Sequence, residues 1–167
     1  EDAVLVGKSA YAPWSGGFGT DLRWKDLSLK VDFAFALGKY MCNNDRYFVE
    51  NTNMLDFNQS TNMLNVWQDD DAHRYTDIAA PGEVLQFDTH MLENASFLRL
   101  KNLTLQYNLP RKWMDAAHLE NVRLHFTGRN LLTVTNYTGY DPEPEVNIVK
   151  FYYPNTRQFE FGVEVQF

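Results

Sequence analysis

Leu27-Ser-Leu-Lys-Val-Asp-Phe-Ala-Phe-Ala-Leu37 alternates without a break. Leu27, Leu29, Val31, Phe33, Phe35 and Leu37 share one parity; Ser28, Lys30, Asp32, Ala34 and Ala36 share the other. Successive strand residues send their side chains to opposite faces, so the pattern predicts a strand with one apolar and one polar face. Its length is also what a tilted strand needs to cross the hydrocarbon layer of a membrane, about 9–11 residues. Upstream, residues 16–24 set Phe18, Leu22 and Trp24 against Gly17, Gly19, Asp21 and Arg23. Only Lys25-Asp26 separates the two segments, which predicts a tight hairpin.

Three further segments carry the same period. Residues 121–127 alternate Val122, Leu124 and Phe126 with Arg123 and His125, and the strand continues through Leu131 and Leu132. Residues 157–167 alternate Phe159, Phe161, Val163, Val165 and Phe167 with Gln158, Glu160, Gly162, Glu164 and Gln166. In residues 97–109 the apolar parity changes, from Leu98 and Leu100 to Leu103, Leu105, Tyr107 and Leu109. One extra residue near Asn102 restores the face, so a β-bulge is expected there.

Alternation suits a soluble sandwich, with apolar faces meeting in a core, as well as a membrane barrel, with apolar faces meeting lipid. The connections separate the two. Read backward from the C-terminus they run long (135–156), short (110–120), very long (41–95) and then two residues (25–26). Outer-membrane barrels sort their connections in this way, with short periplasmic turns and long extracellular loops, whereas a sandwich has no reason to. The expected fold is therefore all-β: about five strands of a large antiparallel transmembrane barrel, with the C-terminus and both short turns periplasmic. Trp24, Tyr107 and Phe167 at one end, and Tyr40, Tyr137 and Tyr140 at the other, are expected to form two interfacial aromatic girdles. Within 41–95 a short helix is expected between Tyr47 and Val66.

Composition bounds the function. No run approaches the roughly 18 apolar residues of a membrane-spanning helix. A mean hydropathy of −0.44 does not argue against a barrel, whose strands are half polar. A net charge of −7 without a basic cluster argues against nucleic acid as partner. The single cysteine, Cys42, leaves no disulfide framework. The chain opens Glu1-Asp2-Ala3, without a signal peptide, and is expected to be part of a longer protein.

Several longer stretches are recognisable together. Ala95-Ser-Phe-Leu-Arg-Leu-Lys-Asn-Leu-Thr-Leu-Gln-Tyr-Asn-Leu-Pro110, Val122-Arg-Leu-His-Phe-Thr-Gly-Arg-Asn-Leu-Leu-Thr-Val-Thr-Asn-Tyr-Thr-Gly-Tyr-Asp-Pro-Glu143 and the closing Tyr153-Pro-Asn-Thr-Arg-Gln-Phe-Glu-Phe-Gly-Val-Glu-Val-Gln-Phe167 resemble the C-terminal region of the SusC/RagA family of TonB-dependent outer-membrane transporters. Trp14-Ser-Gly-Gly-Phe-Gly-Thr-Asp-Leu22, Asp26-Leu-Ser-Leu29 and Asn65-Val-Trp67 extend the likeness collinearly. The resemblance implies TonB-driven import of a large nutrient, an oligosaccharide or a peptide, through a plugged barrel of about 22 strands. It further implies a SusD-like surface lipoprotein as lid. Residues 1–167 would then be a C-terminal barrel segment, its partners the rest of the transporter and outer-membrane lipid. The plug domain and the segment that contacts TonB would lie outside the chain.

On this reading Leu29, Val31, Phe33, Phe35, Phe161 and Val163 face lipid. Glu160, Gly162, Val165 and Phe167 match the polar–x–Gly–x–x–apolar–x–aromatic ending that resembles a barrel-assembly signal; an ordinary terminal strand is the plainer alternative. Lys30, Asp32, Arg99, Lys101 and Arg123 fall on polar faces, expected to line the lumen. Trp67, Asp141 and Glu143 are loop residues that could touch a partner or substrate. Asp141, Glu143 and Glu145 alternate with Pro142 and Pro144, a stiff acidic segment that is either loop architecture or a contact surface. Asp69-Asp70-Asp71, with Asp77, reads as a solvated acidic loop before it reads as a hard-cation site. His73, His90, His118 and His125 have no metal-site spacing, and no nucleophile–His–acid set or phosphate loop is present. No enzyme activity, metal or cofactor is expected. The competing reading is a secreted β-sandwich that binds carbohydrate through aromatics such as Trp14 and Trp67, and it requires the apolar faces to be buried.

Overall fold

The computed structural model describes residues 5–51, 56, 58–65, 89–149 and 152–167. The chain divides into two compact units. One, made of Pro13–Leu37, Ser96–Thr135 and Pro154–Phe167, is a single antiparallel sheet. Its strands are β1 (Trp14–Trp24), β2 (Leu27–Leu37), β5 (Phe97–Asn108), β6 (Asn121–Thr135) and β7 (Gln158–Gln166), side by side in that order. The elements of the other unit are β3 (Tyr40–Cys42), α1 (Asn44–Val49) and β4 (Leu92–Asn94).

Register keeps the apolar parities together. Leu22, Leu29, Leu105, Phe126 and Phe161 form one row across all five strands, and Trp24, Leu27, Tyr107, Leu124 and Val163 form the next. A slip of one residue anywhere would send a strand's apolar set to the other face, so the pattern itself specifies this pairing. Phe18 stacks on Phe33, and Phe126 packs obliquely on Phe161. Such cross-strand aromatic pairs contribute about 0.2–1 kcal/mol each.

The hairpin turn is Lys25-Asp26 as expected, with Lys25 at φ 52°, a left-handed conformation uncommon outside glycine. The bulge is also present, one residue from its expected place. Asp32 pairs with Asn102 and Phe33 with Leu100, so Lys101 is the additional residue of β5. β6 carries a further irregularity at the same level: Leu100 pairs with Leu132 and Asn102 with Arg129, and Asn130 turns left-handed at φ 52°. Leu131 is thereby brought over Gly128, where an added Cβ would lie 2.6 Å from Leu131 Cδ1. The isobutyl group fills the gap that glycine leaves in the apolar face.

Among the described residues, most of that face is open. Phe161 is 79% exposed, Val163 64%, Leu22 58% and Phe18 55%. Fully burying one such side chain is worth about 1.5–3 kcal/mol, so a row of them open to water would be strongly unfavourable for a soluble domain. The sandwich reading needed these side chains inside.

The second unit has its own small core of Met41, Ala95, Tyr137 and Val149, with Val146 packed against it. β3 pairs with β4, and Cys42 bridges in parallel to Ile148, so β3 lies between β4 and the chain around residue 148. Residues 41–95 do hold a short helix, α1, somewhat upstream of the expected place, and a 3-10 turn at Thr61–Asn65. Tyr137 is 6% exposed and belongs to this core. It is not the girdle residue its sequence position suggested. Burial, and next the carboxylate of Glu93, push its phenol well above the usual tyrosine range.

Candidate functional site

The two faces of the sheet form one candidate surface. Leu29, Val31, Phe33 and Phe35 on β2, with Phe161 and Val163 on β7, all stand on the exposed apolar face. Behind them the polar parity is laddered by side-chain pairs. Asn102 Nδ2 donates to Asp32 Oδ2 at 3.3 Å, and Thr104 and Thr127 hydroxyls lie 3.4 Å apart. Arg99 Nε donates to Thr133 Oγ1 at 2.9 Å. Arg123 donates through Nε to Asn108 Oδ1 at 3.1 Å and through Nη1 to Glu164 Oε2 at 3.2 Å. The sequence placed Lys30, Asp32, Arg99 and Arg123 on this face; the pairing that ties them together depends on register.

Of the terminal-strand residues, Val165 and Phe167 are exposed, Phe167 at 88%. Gly162 has a structural reason of its own. It sits opposite His125, and an added Cβ would collide with the imidazole Cε1. The ring occupies the space that glycine leaves, and Glu160 Oε1 lies 3.9 Å from His125 Nε2. Gly162→Ala in the full-length protein should therefore cost stability by overpacking, roughly 1–3 kcal/mol if the ring cannot swing clear. Adding His125→Ser should restore it. Thermal melting of the purified protein, beside its abundance in the cell, reads this out. If the double variant stays as depleted as the single one, glycine is required for its own sake, as an assembly signal demands.

The second candidate surface lies in the loop unit, around a lysine that no motif announced. Lys39 is 1% exposed. Its Nζ donates to three successive backbone carbonyls, of Pro142 at 2.8 Å, Glu143 at 2.9 Å and Pro144 at 2.5 Å. An ammonium group has three N–H donors, and these are its three acceptors. Burial holds its pKa below the ordinary lysine value, while the negative charges of Glu145, Asp141 and Glu143 act in the opposite direction. The chain bends at Pro142 and again at Pro144, where the rings fix φ, and these bends turn three consecutive carbonyls toward one point. Asp141, a suggested contact residue, is 6% exposed, and its Oδ1 accepts the Glu143 N–H at 3.0 Å. Glu143 is half-buried. Trp67, Asp69, Asp70, Asp71, Asp77 and His73 lie outside the described residues.

A cleft of about 560 Å³, lined mostly by polar residue types, opens in the same unit. Asn43, Asp45, Arg46, Glu50, Asn62, Thr138 and Tyr140 are among its lining residues. Arg46 and Glu50 are a helical i,i+4 pair at α1, 2.8 Å apart, which is the one element of this cluster with a sequence signal. Glu50 also accepts Asn62 Nδ2 at 2.7 Å and approaches His90 Nε2 at 3.0 Å. Burial alone would raise the Glu50 carboxyl; the hydrogen bonds from Arg46, Asn62 and His90, with the Arg46 charge, outweigh it and leave the pKa lowered. Glu93 fastens the opposite side: its carboxylate accepts the Thr138 N–H at 2.8 Å, the Thr138 hydroxyl at 2.7 Å and Asn43 Nδ2 at 3.1 Å. The cleft is thus a braced polar wall with one exposed aromatic, Tyr140, at 77%. Among the described residues, no group of three His, Cys, Asp or Glu side chains is placed to hold a metal ion.

No protein-family model matches the chain. Individual relatives and solved structures do. TonB-dependent receptor P3 of Formosa agariphila is 32% identical over 164 residues, covering 90% of this chain and 16% of the relative. TonB-dependent receptor SusC of Bacteroides thetaiotaomicron is 27% identical over 152 residues, covering 90% of this chain and 15% of the relative. The solved structure of the RagAB peptide importer in an open-open state is 46% identical, with a TM-score of 0.86 over 97% of this chain and 18% of that one. A RagAB peptide transporter structure gives 0.87 at the same identity and coverage. The chain thus spans less than a fifth of the length of each of these relatives, and the sheet and loop unit described above have counterparts there.

Proposed function

The chain belongs to the SusC/RagA-type TonB-dependent transporters, and from that premise we propose that it forms barrel wall and extracellular loop structure in an importer of large nutrients. The observation that carries the proposal is the sheet. It has a continuous, largely exposed apolar face, a polar face laddered by charged and amide pairs, and connections sorted by end. A membrane barrel needs this combination, with lipid on one side and an aqueous lumen on the other.

The short turns, Lys25-Asp26 and the connection from β5 to β6, are periplasmic together with the C-terminus. The long excursions, which contain the loop unit, are extracellular. The cleft at Arg46, Glu50, Asn62 and Tyr140 then belongs to the extracellular loops, and Asp141–Glu145 is ordered loop architecture. An oligopeptide is favoured over an oligosaccharide, because the RagAB structures at 46% identity are those of a peptide importer. A SusD-like lipoprotein would close over the extracellular side, and TonB would act through parts of the protein beyond these residues. The role is transport, not catalysis. Glu160, Gly162, Val165 and Phe167 are assigned to presentation of the closing strand for assembly.

Labelling of intact cells tests the orientation. In the full-length protein, Tyr140→Cys is expected to react with a membrane-impermeant maleimide, and Asp26→Cys only after the outer membrane is opened. Reaction at position 26 but not at 140 would reverse the topology. Uptake of a fluorescent oligopeptide, against a labelled oligosaccharide of similar size, decides the substrate class.

A further inference from the structure

The connection from β5 to β6 contains a helix, α2 (Arg111–Ala117), that alternation gave no hint of. Pro110 precedes it in an extended conformation, and His118 closes it in the left-handed region at φ 55°. Its attachment to the sheet is specific. Met114 is 8% exposed, and its sulfur accepts the Val122 N–H at 3.2 Å. Val122 belongs to the apolar face, where it pairs with Val165. Yet Val122 is 8% exposed, whereas Leu124, two residues along the same face, is 38% exposed. Gly128, the other buried residue of this face, lies under Leu131, whereas at Val122 the contact comes from Met114 of α2. The helix therefore packs against the sheet beside Val122, at the end with the short turns.

What α2 shows to its surroundings is one large aromatic, two cations and the carboxylate of Asp115. Trp113 is 64% exposed, and Arg111 and Lys112 are exposed beside it. The hairpin at the same end repeats the combination: Trp24 is 69% exposed, with Lys25 Nζ 5.0 Å above its ring. An exposed indole next to a cation is poorly matched to water and to hydrocarbon. It is well matched to the headgroup layer, where the ring sits among glycerol and upper acyl carbons and the cation meets phosphate. The acidic Asp26, Asp115 and Glu120 at this end leave no large excess of positive charge, so the phosphate contacts are local to the two cation–indole groups.

We propose that α2 is an interfacial foot, seating Trp113 in the headgroup layer of the inner leaflet with Arg111 and Lys112 on lipid phosphates. The surface is continuous with the apolar wall, and the inference rests on that wall facing lipid. The foot marks the depth at which the barrel stops at its periplasmic rim.

The test uses the full-length transporter in vesicles of phosphatidylethanolamine and phosphatidylglycerol. Subtracting the tryptophan emission of Trp113→Phe from that of the parent isolates Trp113. Its emission is expected to be quenched at least twofold more by lipids brominated near the glycerol end of the chain than by those brominated near the chain terminus, with little quenching by aqueous acrylamide. Acrylamide quenching without bromolipid quenching would place Trp113 in water and overturn the proposal. Quenching by neither would place it inside the protein and overturn it equally. Phe161→Trp in the Trp113→Phe background separates this from the wall reading. If the indole introduced at position 161 is quenched by deep bromines and Trp113 by none, only the foot is lost. If the indole at position 161 also escapes, both readings fall.

Discussion

Lys39→Met is expected to loosen the Asp141–Glu145 loop while the five-stranded sheet keeps its stability. Methionine replaces the aliphatic stem but offers no donor, so the carbonyls of Pro142, Glu143 and Pro144 lose the group on which all three converge. A buried acceptor left without a partner costs about 1–3 kcal/mol. Relief from burying the ammonium, the same effect that holds its pKa low, offsets part of this, and a net local loss of about 3 kcal/mol is expected. Limited proteolysis of the full-length transporter should then cut within residues 136–149 at concentrations that leave the parent intact. Glu143→Ala is the discriminating partner variant. The ammonium holds the backbone oxygen of residue 143, so deleting that carboxylate should change little. Equal loosening by the two variants would show that charge, and not the three carbonyls, closes the loop.

The second large effect belongs to the wall. Val31 stands at mid-strand on the apolar face, between Thr20 and Leu103. An arginine there must carry its guanidinium into hydrocarbon, at about 2–4 kcal/mol near the midplane. Val31→Arg should therefore lower the amount of folded, heat-modifiable transporter in the outer membrane several-fold. The control lies one face away. Thr127 points to the polar side opposite Glu160, so Thr127→Arg meets a carboxylate and water and should cost less than about 1 kcal/mol. If the two arginines were tolerated alike, the faces would not differ in solvent and the membrane assignment would fail.

Strong acid should loosen the loop unit at Glu50, read out as proteolytic cutting of the full-length protein within residues 44–51 on acidification. The Glu50 carboxyl is held below its ordinary value, so the stability it contributes is fully present above its unfolded pKa. That stability is lost as pH falls through the lowered folded value. The cleft wall built on Arg46, Glu50 and Asn62 is therefore expected to survive at neutral pH and to loosen in strong acid.

Local periodicity carried most of the wall into view. Leu27–Leu37 and the two-residue hairpin were readable residue for residue, because a strand between two different solvents must alternate along its whole length. β1 and β6 ran past their expected ends, at Trp14 and Thr135, where glycines and threonines weaken the contrast between faces, while β5 and β7 stop one residue inside theirs. The bulge was legible from a parity change at Leu100 and Leu103, since one inserted residue inverts every side chain beyond it. The likeness to the SusC/RagA family added the longer protein around these strands.

Other features had no trace in any window of sequence. Tyr137 was assigned to a girdle because it follows a strand, but it closes a core with Met41, Ala95 and Val149, residues drawn from distant parts of the chain. Helix α2 is too short for its period to show. By itself the sequence determined the strands, their two faces, their antiparallel order and the sorting of the connections, because each follows from contrasts between near neighbours in the chain. Only the tertiary structure decided that Lys39 closes a loop 103 residues away, that His125 fills the space at Gly162, and that Asn43, Glu50, Glu93 and Thr138 brace one cleft. The acceptors for Lys39 are backbone carbonyls, which every residue type supplies, and the partners of the other groups are set by register and chain reversal, which leave no periodic mark on the sequence.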